Sequence, residues 1–277
     1  MANIKSDSFV ETGVGEVNII PMMGVESGKK LSEQDVPEVI PVLALRNAIL
    51  FPSTVIPITV GREKSIKLVR DAYAGNKIIG ASSQRDAEIE DPKLIDLFEI
   101  GTVAKILKLI EMPDGNITAI LQGIKRYKVV EQIASEPYLV AKVEYLSEVM
   151  TKGDEIEIDA LADTVKDTAL HILKLSPHLP QEAAFAIKNI EGSEFLVNFI
   201  ASSIDIEEPL DKMEVLKEDN IRIRAMKLLE LMNRQIELLK IKNDIQKKVK
   251  TEIDQQQREY YLNNQLKTIQ EELGIGD

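Results

Sequence analysis

The side chains that most often carry chemistry are sparse in this 277-residue sequence, and their spacing does not form a site. The sequence has no cysteine and only two histidines, His171 and His178, which are separated by Pro177. Even on one continuous helix these histidines would lie about two turns apart, which is too far for them to share a metal ion. We therefore expect both histidines to occupy ordinary helix and loop positions, and we expect no metal in this segment.

Carboxylates and phosphate-binding loops are the next candidates for chemistry. Glu88, Glu90 and Asp91 form an acidic cluster, but no apolar stretch beside it would raise a carboxyl pKa for acid catalysis, so we interpret it as a solvated turn. No stretch matches the phosphate-binding pattern G-x-x-x-x-G-K-[ST], and no G-x-G-x-x-G follows a predicted strand. The residues alone therefore predict a segment without covalent chemistry and without a bound cofactor.

The net charge of −12 disfavours nucleic acid as a partner, because neutralising phosphates requires clustered cations. One stripe near the carboxyl end is the exception, and we interpret it as a solvated helix face. It consists of Lys240, Lys242, Lys247, Lys248 and Lys250. No run of 18 apolar residues suggests a membrane span, and residues 1–7 lack the features of a secretion signal. We expect a cytoplasmic protein with no membrane partner.

The elements that must position any functional residue are dominated by a long helix at the carboxyl end. No proline or glycine occurs between Pro209 and Gly274, and the intervening residues are strong helix formers. The acceptors at positions 218–220 (EDN) predict a helix start, so we divide this stretch into a short helix at 210–217 and a long one at 220–273. At 1.5 Å per residue the long helix would extend roughly 80 Å, beyond any small domain in which it begins.

The apolar pattern of this helix changes along its length. Positions 228–239 carry a wide apolar stripe, which predicts burial in a local helical bundle. Only one apolar residue per turn follows, at Ile241, Ile245, Val249 and Ile253. A short seam with spacings of 4, 3 and 4 then closes the helix at Leu262, Leu266, Ile269 and Leu273. The broken heptad argues against one continuous coiled coil and predicts a second docking point at the tip.

The first part of the chain has the composition of a sheet. Residues 1–37 form an acidic stretch that we interpret as a flexible tail, and β-branched runs follow at 39–45, 55–60, 77–81 and 139–146. Runs at 102–112 and 117–130 flank Asp114-Gly115, a strong hairpin signal, and Gly123 predicts a bulge or bend. A helix opens near Arg62 and closes at Gly75-Asn76. These patterns predict a mostly antiparallel sheet or open barrel with one helix.

Helical composition begins after position 149, with predicted helices at 154–175, 181–190 and 193–204. The fold class is therefore α+β, with a β-rich subdomain at 38–149, a helical bundle at 150–219 and the long helix at 220–277.

Three blocks of the sequence, in the same order, resemble the amino-terminal region of Lon proteases. Residues 40–66 (IPVLALRNAILFPSTVIPITVGREKSI) resemble its opening, and residues 101–129 (GTVAKILKLIEMPDGNITAILQGIKRYKV) resemble its central hairpin. Residues 257–274 (QREYYLNNQLKTIQEELG) resemble the neck helix that leads into the ATPase module. Ala44 departs from the family pattern, which commonly has proline there, and the acidic front extension is a second departure.

The resemblance implies more than the residues alone. Lon proteins are ATP-dependent serine endopeptidases that degrade misfolded and regulatory proteins, assembled as hexamers from an amino-terminal domain, an AAA+ ATPase and a Ser-Lys protease. ATP and magnesium are then expected in the ATPase module, which this sequence does not reach, and no catalytic residue can be carried over. The resemblance implies that this segment recognises unfolded or degron-bearing proteins and helps to organise the hexamer.

Two groups of residues are candidates for these roles. Arg62, Glu63 and Lys64, at the start of the first helix, are the candidate substrate contacts. Tyr260, Tyr261, Leu262, Leu266 and Ile269 are the candidate docking surface of the neck. Two other functional classes stay open, a stand-alone adaptor without a protease and a coiled-coil scaffold that dimerises through the long helix.

Overall fold

The computed structural model describes residues 37–149, 153, 155–176, 181–204 and 209–273. The predicted tail, apart from Pro37, and His178 lie outside the described residues. Six strands come first: β1 (Val39–Leu45), β2 (Val55–Val60), β3 (Ile78–Ser83), β4 (Ile100–Glu111), β5 (Ile117–Ala134) and β6 (Val140–Tyr145). The helices are α1 (Glu63–Ala74), α2 (Glu155–Leu175), α3 (Gln181–Lys188), α4 (Ser193–Ser203), α5 (Pro209–Lys217) and α6 (Ile221–Glu272).

The sheet closes into a barrel because β5 is long enough to pair with three strands. Its 18 residues pair with β4 along one edge and with both β2 and β6 along the other. The order β5-β4-β3-β1-β6 then returns to β5 and forms a ring, with β2 added beside β5. Among the pairs formed by these six strands, β1–β3 alone is parallel, so the prediction of a mostly antiparallel sheet is confirmed.

The β4–β5 hairpin follows the predicted turn and the predicted bulge. Gly115 has φ 86° in the turn, a left-handed conformation that favours glycine. Val103 pairs with Lys125 and Ala104 with Gly123, which leaves Ile124 as the extra residue of a bulge. A Cβ atom on Gly123 would clash with the carbonyl oxygen of Phe51, so the absence of a side chain here lets the β1–β2 loop approach the strand.

The β1–β2 loop joins the barrel to the helices. Its carbonyl groups accept hydrogen bonds from hydroxyls of the barrel strands: Ser83 Oγ donates to Ala48 O and Thr102 Oγ1 to Leu50 O, both at 2.6 Å. The loop side chains of Ile49 and Phe51, together with Phe98, belong to the same apolar core as α2, α4 and α6. The barrel and the bundle therefore share buried surface, and the division of the chain at position 149 stays a prediction.

Helix α6 has two parts with opposite surroundings. Its first part, residues 221–243, is named the root here; it packs in the bundle, where Leu228 and Met232 are completely buried. Helix α2 runs parallel to the root, since Arg222 pairs with Glu157 near both starts and Asn243 Nδ2 donates to the carbonyl of Leu175 at the end of α2. Every side chain described from 244 to 273, the projecting half, is exposed, over roughly 45 Å.

The long helix is thus confirmed, with 52 residues in one uninterrupted element. Asn220 caps it as its position predicts, because its Oδ1 accepts hydrogen bonds from the backbone amides of Arg222 at 2.9 Å and Ile223 at 3.3 Å. None of the described helices is both long and apolar enough to cross a membrane.

Candidate functional site

A shallow cleft lies on the barrel where the amino-terminal end of α1 faces two loops. One loop (84–92) follows β3, and the other (135–139) connects β5 to β6. Apolar side chains from β1, α1 and both loops line the cleft: Val42, Ala44, Leu68, Pro92, Tyr138 and Leu139. Its volume of about 30 Å³ admits two waters or the tip of one apolar side chain.

Arg62 is hydrogen-bonded to the loop 84–92 on one side of the cleft. Its Nη2 donates to Gln84 Oε1 at 2.7 Å and to the carbonyl of Ile89 at 3.3 Å, and Gln84 Nε2 also donates to that carbonyl at 2.9 Å. Partial burial, followed by the nearby cation of Arg46, lowers the pKa of Arg62, and two loop carboxylates oppose that shift. The guanidinium stays charged at physiological pH because its usual pKa is 12.5.

Lys64 connects the two loops across the rim of the cleft. Its Nζ lies 3.1 Å from Asp91 Oδ2 and 3.1 Å from Glu136 Oε1. The hydrogen bond to Glu136, and then that to Asp91, raise the pKa of Lys64. All three side chains are well exposed, so these ion pairs contribute little to stability and a carboxylate of a ligand could replace either partner.

The structure therefore places two of the three predicted contact residues in the cleft. Arg62 and Lys64 line it, together with Ser65 and Asp91, whereas Glu63 is exposed and does not line it. No pattern in the sequence pointed to Tyr138, which lines the same cleft from a loop more than 70 positions after Lys64. Burial and the neighbouring carboxylate of Asp71 raise the pKa of Tyr138.

The cleft has the chemistry of a peptide-binding surface. It combines an apolar floor with two cations and a carboxylate at the rim, which suits an extended segment that offers an apolar side chain next to polar groups. Within the described ranges there is no cluster of three or more His, Cys, Asp or Glu residues that could hold a metal ion. His171 is exposed on α2.

The candidate docking residues of the neck lie in the projecting half of α6. Each is more than half exposed: Tyr260, Tyr261, Leu262, Leu266 and Ile269. Leu262, Leu266 and Ile269 follow one another at helical spacing and form one stripe, whereas Tyr260 and Tyr261 point to other sides of the helix. The basic stripe that begins at Lys240 is also exposed, and Lys240 pairs with Glu237 at 2.9 Å.

Comparison with known proteins gives consistent results. The profile of the ATP-dependent protease La (LON) substrate-binding domain matches residues 39–234. Lon protease of Flavobacterium johnsoniae is 47% identical over 259 residues, which cover 94% of this chain and 32% of that protein. Lon protease of Cytophaga hutchinsonii is 45% identical over 258 residues, covering 93% of this chain and 32% of its own length.

Among solved structures, the N-terminal domain of the Mycobacterium avium complex Lon protease matches with a TM-score of 0.56 and 20% identity. The match covers 70% of this chain and 98% of the Mycobacterium domain, and at this identity it supports the fold alone. The chain spans about a third of the length of the curated relatives named above.

Proposed function

Because this chain belongs to the ATP-dependent protease La (LON) substrate-binding domain family, we propose that it captures unfolded or degron-bearing protein segments for an ATP-dependent serine protease. The observation that carries the proposal is the family match over residues 39–234, which includes the whole barrel and the first part of the root of α6. The chain corresponds to the amino-terminal region of Lon protease. We propose that proteolysis itself is carried out by modules outside this segment. ATP and magnesium would be bound by the ATPase module.

The cleft beside α1 is the proposed contact surface. Arg62 is held in place by Gln84 and the loop carbonyl, so it presents its charge without ordering a flexible side chain when a ligand binds. Lys64 can exchange Asp91 or Glu136 for a substrate carboxylate at little cost, because both pairs are exposed. The small apolar floor then accepts one side chain, so a single site binds weakly and without strong sequence preference.

Avidity compensates for weak single sites. Six copies on one assembled protease would present six clefts, and a long unfolded chain that reaches two of them binds far more tightly than a short peptide. The projecting half of α6 is the proposed connection to the hexamer, since its apolar stripe at Leu262, Leu266 and Ile269 is exposed. We propose the cytoplasm as the compartment, and neither nucleic acid nor membrane as a partner.

The proposal is tested by fluorescence anisotropy with a labelled, chemically unfolded protein and the same protein in its folded state. We expect the unfolded form to bind and the folded form not to bind. The double variant R62Q/K64A should weaken binding by at least about threefold, as expected when two rim contacts are lost. Equal binding of the folded and unfolded forms would overturn the proposal.

A matched control lies on the same helix. The variant K67A/R70A removes the same charge from α1 at positions that do not line the cleft. It should leave the affinity unchanged, and far-UV circular dichroism should show that both double variants keep their fold. If both double variants weaken binding equally, general electrostatic attraction is responsible and the cleft is not the site.

A stand-alone adaptor is the second candidate function. The neck-like block at 257–274 argues against it, because an adaptor does not need a linker to an ATPase. Reading the gene past codon 277 separates the two. A frame that continues through G-x-x-x-x-G-K-[ST] to a Ser-Lys protease supports the protease, and an immediate stop codon favours the adaptor.

A further inference from the structure

Two completely buried arginines lie where the barrel meets the root of α6. Arg126 belongs to the barrel strand β5, and Arg224 to the first turn of α6; both side chains are 0% exposed. Removing two cations from water costs several kcal/mol each unless carboxylates and hydrogen bonds replace the lost hydration. Their arrangement therefore depends on the groups that surround them.

Glu148 lies between the two arginines and binds both. Its Oε1 accepts from Arg126 Nε at 3.1 Å, and its Oε2 accepts from Arg224 Nη2 at 2.7 Å. Glu148 belongs to the short link between β6 and α2, so one side chain in this link connects a barrel strand to the long helix. Each carboxylate oxygen accepts a hydrogen bond from a different arginine, and this fixes the direction of both contacts.

The same cluster reaches two further parts of the helical bundle, the end of α5 and α4. Arg126 Nη1 donates to the carbonyl of Leu216 at 3.1 Å and to Asp219 Oδ1 at 2.8 Å, both next to the end of α5. Arg224 Nη1 donates to Asn198 Oδ1 of α4 at 3.2 Å. The backbone of the link is fixed as well, since Leu146 N donates to the carbonyl of Arg126 and Val149 N to that of Asp219, each at 3.0 Å.

Apolar packing does not need such a cluster for stability. Well-packed hydrophobic residues often stabilise a buried site as well as an ion triad does, whereas directional hydrogen bonds restrict how two parts are oriented. The neighbouring apolar contacts of Ile49, Phe51 and Phe98 are not directional and would tolerate rotation. The charged cluster is thus the feature that can fix the angle between the barrel and α6.

We propose that Glu148 is a positioning residue that locks the barrel to the root of α6, so that the two move as one rigid body. A force applied to the projecting half, which is roughly 45 Å long, is then transmitted directly to the barrel and its cleft. Without this lock, the barrel would rotate about the link 146–149 while both parts stay folded.

Spin-label distance measurements test the lock in the whole chain. The protein has no cysteine, so two introduced cysteines are labelled uniquely. One pair, K108C and N233C, reports the distance between the exposed face of β4 and the root; a second pair, D167C and N233C, reports a distance within the bundle. In E148Q we expect the first distance distribution to become about twofold broader, as for a released hinge, and the second to stay unchanged.

A matched control uses a carboxylate that binds α6 from within the bundle. Glu157 pairs with Arg222 at 3.0 Å, and E157Q should broaden neither distribution. If E148Q leaves both distributions as narrow as in the unmodified chain, the lock does not exist. If it broadens both, Glu148 only supports the general packing, and the proposal is equally overturned.

Hydrogen exchange of the unmodified chain gives an independent test if E148Q does not fold. A single rigid body predicts that amides of β5 near Arg126 and amides of α6 near Ala225 open in the same cooperative event, with equal protection. Protection factors that differ by more than about tenfold between these two groups would show that barrel and root open separately, which contradicts the proposal.

Discussion

The root and the projecting half of α6 are one continuous helix with opposite environments. In the root, Leu228 and Met232 are completely buried and Ile236 is 6% exposed. In the projecting half, Ile245 is 56% exposed and Leu266 is 54% exposed, although both are as apolar as the root residues. The change occurs where α2 ends, since Asn243 of α6 contacts the carbonyl of Leu175. Neighbouring elements, and not helix propensity, therefore decide which half is buried.

Ion pairs show the same division. In the described part of the chain, ion pairs join α6 to preceding segments from residues of the root: Arg222, Arg224, Lys227 and Arg234. The side-chain hydrogen bonds found in the projecting half stay within the helix, such as Gln265 Nε2 to Tyr261 Oη at 3.0 Å. The projecting half thus depends on its own helix formers until a partner covers its apolar stripe.

A core substitution in the root should have the largest effect on the free energy of unfolding, and the matched substitution in the projecting half should have almost none. L228A leaves a cavity in the bundle and should lower the free energy of unfolding by about 2–5 kcal/mol, measured by urea denaturation. The matched variant L266A removes an exposed side chain and should change that free energy by less than about 0.5 kcal/mol. Equal destabilisation by both variants would mean that the projecting half is packed in solution.

Glycine substitutions test whether the backbone of the root contributes more to stability than the backbone of the projecting half. A225G removes a buried methyl group and adds backbone entropy to the unfolded state, so we expect a loss of about 1–2 kcal/mol in the free energy of unfolding. Q256G weakens only the local helix and should reduce the helical signal without moving the denaturation midpoint. A shift of the midpoint in Q256G would show cooperative coupling between the two halves.

Acidification should reduce the stability at the start of the root, through Glu218, by a smaller amount than the substitutions above. Burial by itself raises the pKa of Glu218, but the Lys227 side chain, the Asn220 amide and Arg224 outweigh it and hold that pKa below its usual value of 4.5. A lowered pKa in the folded state stabilises the protein above pH 4.5, and this contribution is lost as the pH falls through the folded-state value.

In K227M the pKa of Glu218 should rise toward its unfolded-state value, so the acid-induced loss of stability should become smaller and end at a higher pH than in the unmodified chain. A pH series of urea denaturation midpoints measures this shift. The control K267M lies in the projecting half and should reproduce the unmodified profile; coincident profiles for K227M and the unmodified chain would refute the assignment.

The smallest expected effect comes from removing the projecting half. A chain that ends at Asn243 should keep the melting temperature of the complete chain, because the side chains that the structure describes in the removed segment are exposed. Its far-UV circular dichroism should lose the signal of about 30 helical residues. A lower melting temperature would show that the projecting half folds back onto the body or associates with a second copy.

Local signals predicted the elements well. Asp114-Gly115 marked the β4–β5 turn, Gly123 marked the bulge, and Asn220 marked the start of α6. Each of these signals depends on the conformation of a few adjacent residues, so the surrounding fold does not change it. The width of the apolar stripe likewise predicted where α6 is buried.

The candidate site was predictable only in part. Arg62 and Lys64 were assigned to the start of α1, but their partners Gln84, Asp91 and Glu136 come from loops that are remote in sequence. Glu63 was grouped with them by adjacency, although neighbouring helix positions point in different directions. The Arg126–Glu148–Arg224 cluster had no signal at all, because an arginine in a strand or a helix is usually exposed.

The sequence by itself determined the fold class, the order of strands and helices and the length of α6, because periodicity, caps and turn residues act over a few positions. The tertiary structure decided that β5 closes the sheet into a barrel, that α2 supports α6 only as far as Asn243, and that one glutamate binds two buried arginines. These features depend on which distant segments meet, and burial then changes the energy of each charge and apolar side chain according to its neighbours.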